Sequence, residues 1–161
     1  MDTVVSGTGK SKACLLVLSE RATREELIYK IAGKSCEYVI KALDRLERKI
    51  GTKTFRENFK TITCDNGVEF LNFEGIEKSS RNKRTKRTKV YYCHPYCSSE
   101  RGTNENQNKL IRRFIPKGAN IDDYTDEQII YIQNWINNYP RKIFDGKSSN
   151  QKYKELDHKA A

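Results

Sequence analysis

The sequence predicts an α/β domain: a central mixed sheet of five strands, the first three antiparallel, with helices layered on its faces. Three observations carry this. The chain opens with three short apolar runs separated by polar turns, the mark of an antiparallel meander. The apolar spacing then changes from alternation to steps of three and four, the mark of amphipathic helix. Further strand-like runs and helical stretches follow in turn, and such interleaving indicates a sheet covered by helices.

The elements follow in order. Asp2–Ser6 is the first strand, and Gly7-Thr-Gly-Lys-Ser11 turns the chain. Ala13–Ser19 (ACLLVLS) and Glu25–Ile31 (EELIYKI) are the second and third strands. Over Ser35–Ile50, the positions Tyr38, Val39, Ala42, Leu43, Leu46 and Ile50 share one helix face. Ser35 suits the N-cap and Gly51 stops the helix. Phe59–Cys64 is the fourth strand, ending at Asp65-Asn-Gly, and a short helix is expected over Phe70–Ile76. Ser79–Lys89 is a basic loop, and Val90–Cys93 a short strand ended by Pro95. A helix is expected after Gly102, from about Thr103 to Phe114, with Pro116 beyond it. Asp126–Asn138 is a last amphipathic helix closed by Pro140, with Trp135 and its isoleucine neighbours as core. The tail from Arg141 is polar.

A chain of 161 residues suits one domain, 1–161, with a core that needs no disulfide or metal staple. The net charge is +10, with 32% of residues charged. Such a surplus attracts polyanions, and nucleic acid is the natural partner. Five cysteines, an odd number with no secretory signal before them, fit a reduced cytoplasmic setting. No apolar run approaches the roughly 18 residues that span a bilayer, so no membrane partner is expected.

Asp2, Asp65 and Glu105 stand where a fold can gather carboxylates. Asp2 is on the first strand, Asp65 at the end of the fourth, and Glu105 in the expected first turn of the helix after Gly102. First and fourth strands side by side would make neighbours of the two aspartates. The helix would lay Glu105 across the same edge. Hard divalent cations prefer such oxygen ligands, whereas histidine and cysteine favour softer ions. Two such ions roughly 3.5–4 Å apart can stabilise both the attacking and the leaving oxygen in phosphoryl transfer. Taken alone the pattern is weak: the chain has 21 acidic residues, and Asp-Asn-Gly is more often a tight turn.

The local motifs add weight. Thr63-Cys-Asp65-Asn66-Gly67-Val-Glu69-Phe70 resembles the segment around the second acid of integrase-core proteins. His94-Pro95-Tyr96 followed by Arg101-Gly102-Thr103-Asn104-Glu105-Asn106-Gln-Asn108 resembles the segment that carries their third acid. Leu110-Ile111-Arg112-Arg113-Phe114-Ile-Pro116-Lys117-Gly118 and Asn137-Asn138-Tyr-Pro140-Arg141-Lys142 are similar to insertion-sequence transposases of the IS-thirty type. Asp2-Thr3-Val4-Val5-Ser-Gly7 resembles, over a shorter stretch, the strand of the first acid.

The resemblance covers nearly the whole chain. It implies an RNase H-like fold and a D-D-E site of Asp2, Asp65 and Glu105 holding two Mg²⁺ or Mn²⁺ ions, with no small-molecule cofactor. It also implies strand nicking and strand transfer on double-stranded DNA, at transposon ends and target. The setting implied is bacterial, cytoplasmic and nucleoid-associated. Joining two ends takes two active sites, so a homodimer fits. Two departures stand out: residues 66–104 make a longer spacing between the second and third acids than the family suggests, and the usual upstream helix-turn-helix region is absent from this chain. A nuclease of the same fold without strand transfer, or a non-catalytic nucleic-acid-binding module, are the rival readings.

Candidate DNA contacts are Arg81, Lys83, Arg84, Lys86, Arg87 and Lys89 in the basic loop. If all six met phosphate, the log–log salt slope would gain about −5. Lys109, Arg112 and Arg113 follow Glu105 on its helix and could grip a strand beside it. Asn66 adjoins Asp65 and could orient a water or a DNA end; His94 could touch a phosphate. Glu69 is expected to hold the turn or pair with a cation. Gly7-Thr-Gly-Lys-Ser11 lacks the first glycine of a phosphate loop, since Val4 is there. Cys93-His94-x-x-Cys97 lacks a fourth zinc ligand, and buried thiols are expected instead.

Overall fold

The computed structural model describes residues 1–94 and 98–160, with side chains at 1–94 and 105–156. Strands β1 (Asp2–Val5), β2 (Cys14–Ser19) and β3 (Glu26–Ile31) form the expected antiparallel meander in that order. Asp2 pairs with Val17 and Cys14 with Ile31. The central strand is apolar throughout because both of its faces are covered. Cys14, Leu16 and Leu18 point into one core with Val39, Leu43, Leu46 and Phe55. Leu15 and Val17 point into a second with Ile28, Ile111, Ile129, Ile132 and Ile136.

Helix α1 (Cys36–Ile50) covers the first face, with Ser35 as N-cap. Gly51, at φ 87°, ends α1 and starts α2 (Thr52–Asn58), a short helix that the sequence did not reveal. Its one buried side chain, Phe55, is too little to print a period on seven residues. Strand β4 (Thr61–Cys64) leads to a 3-10 turn at Val68–Phe70 and helix α3 (Phe73–Glu77), where the sequence predicts one short helix. Strand β5 (Lys89–Tyr92) pairs with β4 in parallel.

The five strands therefore make two sheets, β1-β2-β3 and β4-β5, not one. The edges do meet: the Met1 nitrogen donates to the Thr63 carbonyl at 2.7 Å. A ladder cannot continue from there, because β4 ends at Cys64, where β1 is only beginning.

Helix α4 (Ser98–Ile111) begins earlier than expected, so Gly102 lies inside it and Glu105 in its middle. Helix α5 (Asp126–Asn138) starts with a capping box between Thr125 and Gln128. It also closes the outer edge of β3. Gln133 accepts from the Ile28 amide, and Asn137 both accepts from and donates to the backbone of Glu26. An open strand edge is a template for unwanted pairing, and two helix amides block this one. The polar tail forms helix α6 (Ser149–Ala160), whose Tyr153 and Leu156 are partly exposed and gave no amphipathic signal. No helix among the described residues is long and apolar enough to cross a membrane.

Candidate active site

Each of the three acids sits on a different element, and local hydrogen bonding fixes two of them. Asp2 Oδ1 accepts from the Thr3 amide at 2.8 Å, and its Oδ2 accepts from Asn108 Nδ2 of α4 at 2.8 Å. Asp65 follows directly on β4, and its Oδ1 accepts from the Gly67 amide at 3.0 Å, an Asx turn. Gly67 leaves room for both carboxylates: a Cβ there would lie 2.6 Å from Glu69 Oε2 and 2.9 Å from Asp65 Oδ1, and they would have to shift. Glu105 is exposed on α4, three residues before Asn108 and so on the same helix side.

Glu69 ties these pieces together. It is buried, accepts from the Thr3 hydroxyl at 2.6 Å and pairs with Lys34 at 3.4 Å. It therefore links β1, one residue from Asp2, to the loop that carries Asp65. Its Oε2 and the Oδ1 of Asn108 are buried without a hydrogen-bond partner. Among the described residues no three acids, histidines or cysteines converge closely enough to hold a metal. Asp2, Asp65 and Glu105 are thus on adjoining elements without being drawn together. Their donor chemistry, all carboxylate oxygen, fits a hard divalent cation. Orphaned oxygens beside Asp2 and Asp65 fit a polar, ion-holding pocket more than a closed structural one.

The candidate DNA contacts divide sharply. Lys83, Arg84 and Lys89 are exposed, as is Arg81, whose guanidinium donates to the Arg48 carbonyl. Lys86 is exposed and pairs with Glu77. Arg87 corrects the expectation: its side chain is fully buried, held by Asp44, Glu47 and the Ile76 carbonyl. It cannot reach a phosphate. The loop is also an ordered hairpin, closed by a bridge between Lys78 and Lys86 and by Ser79 N donating to Thr85 O.

Lys109 is exposed on the Glu105 side of α4, and Arg113 is exposed with its guanidinium over the Tyr139 ring. Arg112 instead directs its guanidinium to the carbonyls of Val5, Ile115 and Pro116, which clamps the end of α4 to β1. Asn66 and His94 are exposed. Burial raises the thiols of Cys14 and Cys64 to about 11 and about 12. Such thiols are inert at neutral pH. Cys97 lies outside the described residues.

No protein-family model matches the chain. It is 38% identical over 157 residues to the transposase for insertion sequence element IS4351 of Bacteroides fragilis, a match covering 97% of this chain and 44% of that protein. It is 35% identical to the probable transposase for insertion-like sequence element IS1161 of Streptococcus salivarius, covering 99% of this chain and 42% of that protein. It is 32% identical to the transposase InsI for insertion sequence element IS30A of Escherichia coli K12, covering 90% of this chain and 35% of that protein. The sequence aligns this chain with the IS30-type transposases. It spans less than half the length of these relatives. Among solved structures, a chain from the simian T-cell lymphotropic virus intasome in complex with PP2A regulatory subunit B56 gamma superposes with a TM-score of 0.64 at 15% identity, covering 93% of this chain and 51% of that one. That likeness is one of fold, and it fits the mixed α/β, RNase H-like expectation.

Sequence reading missed Asn108 and Gln107, which fasten α4 to β1 and to the turn before β3. Their position in the polar run that follows Glu105 was the available signal.

Proposed function

We propose that this chain is a metal-dependent DNA-cutting and DNA-joining core, acting on transposon ends and target DNA. The observation that carries the reading is the Asp2–Asn108 hydrogen bond at 2.8 Å. It puts the side of α4 that bears Glu105 against the strand that bears Asp2. The Met1–Thr63 bond brings the end of β4, and so Asp65, to the same strand. Asp2, Asp65 and Glu105 hold Mg²⁺ or Mn²⁺ in this reading. The chemistry that such ions would supply there is activation of a water or a DNA 3′-hydroxyl and stabilisation of the leaving oxygen.

The chain's own residues do the rest. Glu69 and Thr3 keep the Asp65 loop docked on β1. Asn108 orients the Asp2 carboxylate. Lys109 and Arg113 hold DNA backbone beside Glu105, and the exposed hairpin cations Arg81, Lys83, Arg84, Lys86 and Lys89 hold it further out. Asn66 and His94 face solvent where a strand end can meet them. Joining two ends uses two copies of the site, which makes a homodimer the working assembly.

Calorimetric titration of Mn²⁺ tests this, with Asp65→Asn beside the unaltered chain. Saturable binding lost in the variant is the expected result, and equal weak binding in both sinks the metal site. Glu105→Gln is expected to abolish nicking with little loss of stability, because the side chain is exposed. Cut products without joined ones assign a nuclease instead.

A further inference from the structure

The carbonyl of Arg24 is a meeting point of several segments. Arg24 closes the turn before β3 at φ 60°, in the left-handed region that side-chain-bearing residues seldom adopt. Its oxygen accepts from Gln107 Nε2 of α4 at 3.2 Å, from Arg141 Nη2 at 3.2 Å and from the Ser149 hydroxyl at 3.0 Å. Arg141 in turn donates through Nη1 to Gln107 Oε1 at 3.0 Å and through Nε to Ser149 Oγ at 2.8 Å. The amide of Gln107 is thus gripped at both ends, and the residue is 2% exposed.

Gln107 stands two residues after Glu105 and directly before Asn108, which reaches Asp2. Successive helical residues point about 100° apart, as 3.6 residues per turn requires. Ties at 107 and 108 therefore fix both the rotation of α4 about its axis and its position along it. We propose that Arg141 is a positioning residue: through Gln107 and the Arg24 carbonyl it sets the rotation of α4 that keeps the helix side bearing Glu105 and Asn108 on β1. This rests on the carboxylate site proposed above. A planar guanidinium serves the purpose because its fork addresses several acceptors in one fixed plane, which an ammonium cannot do.

The test compares Arg141→Gln and Arg141→Lys with Leu46→Ala, a core truncation in α1 that lowers stability without touching α4. Mn²⁺ affinity is read by calorimetry and stability by thermal unfolding. Both Arg141 variants are expected to weaken Mn²⁺ binding about tenfold, while Leu46→Ala leaves it unchanged at a similar loss of melting temperature. Unaltered affinity in the Arg141 variants overturns the proposal. Gln107→Met serves if Arg141→Gln does not fold. It is expected to reproduce the weakening, and in combination with Arg141→Lys to add nothing, as residues acting through one another do. If the unaltered chain binds Mn²⁺ no better than Asp65→Asn, the carboxylate reading fails and amide hydrogen exchange decides the latch. Loss of protection confined to α4 in Arg141→Lys sustains it, and unchanged protection there overturns it.

Discussion

Arg87 is fully buried and Arg141 half-buried, and their surroundings are opposites. Arg87, beneath the basic hairpin, meets the carboxylates of Asp44 and Glu47. Burial pushes the Glu47 carboxyl up, but donors from Ser79, Ser80 and Thr52 outweigh it and hold the pKa at about 2. Arg141, beneath α4, meets carbonyls, an amide oxygen and a hydroxyl. The buried carboxyl of Glu26 near it is pushed the other way, to about 8, by burial that the Ser19 hydroxyl and Arg141 only partly offset. The first arginine is balanced by full negative charge. The second sits among dipoles beside an acid that stays largely protonated at neutral pH. Charge balance makes a brace, whereas a fork of neutral acceptors sets an orientation.

Removing the brace gives the largest expected effect. Arg87→Ala strands Glu47 in the interior and Asp44 near it, and breaking a buried pair in this way costs about 3–5 kcal/mol. Urea unfolding reads this directly. A loss below about 1 kcal/mol, the range of surface pairs, would mean that the hairpin opens and Arg87 is not committed to the interior.

The second site is broken through pH. Glu26 has a pKa of about 8 in the fold against an ordinary glutamate value of 4.5. Between those values the unfolded chain gives up a proton that the folded chain keeps. Stability is therefore fully present below the lower value and falls as pH rises toward the upper one, by at most about 1.4 kcal/mol per pH unit. Burial raises this carboxyl, and Ser19, Arg141, the Met1 amino group and Arg24 lower it by less. Glu26→Gln removes the titration, so its melting temperature is expected to decline less between about pH 5 and pH 8. Parallel declines in the two proteins would assign the pH dependence to other groups.

Periodicity reports burial, and the sequence was legible wherever burial was regular. The β1–β3 meander, α1 with its Ser35 and Gly51 limits, and the capped α5 all appear near their expected bounds. Helices α2 and α6 escaped because one buries a single large side chain and the other leaves Tyr153 and Leu156 partly exposed. The single sheet failed on a stagger of strand ends, which no pattern within one strand records. At the candidate site, motif resemblance singled out Asp65 and Glu105, which follow β4 and stand in α4. The bonds that relate their elements, Thr3 to Glu69 and Asn108 to Asp2, are long-range pairings between ordinary polar residues. Arg87 was misread because a run of cations looks the same whether its members point outward or one turns in.

That misreading gives the smallest and most discriminating test. Lys83 and Arg84 are exposed at the tip of the hairpin, while Arg87, a few positions further on, is sealed inside. If the hairpin holds DNA backbone, Lys83→Ala and Arg84→Ala each remove one phosphate contact. Each then lowers the steepness of the log–log salt dependence of DNA binding by about 0.9 and leaves stability nearly unchanged. Arg87→Met, where it folds, is expected to keep the full slope. Fluorescence anisotropy across a salt series measures all three. A slope unchanged by Lys83→Ala and Arg84→Ala makes the hairpin a solvated surface, and the DNA path then runs along Lys109 and Arg113 of the α4 side alone. A slope reduced by Arg87→Met at unchanged stability would instead mean that the buried ion pair opens when DNA arrives.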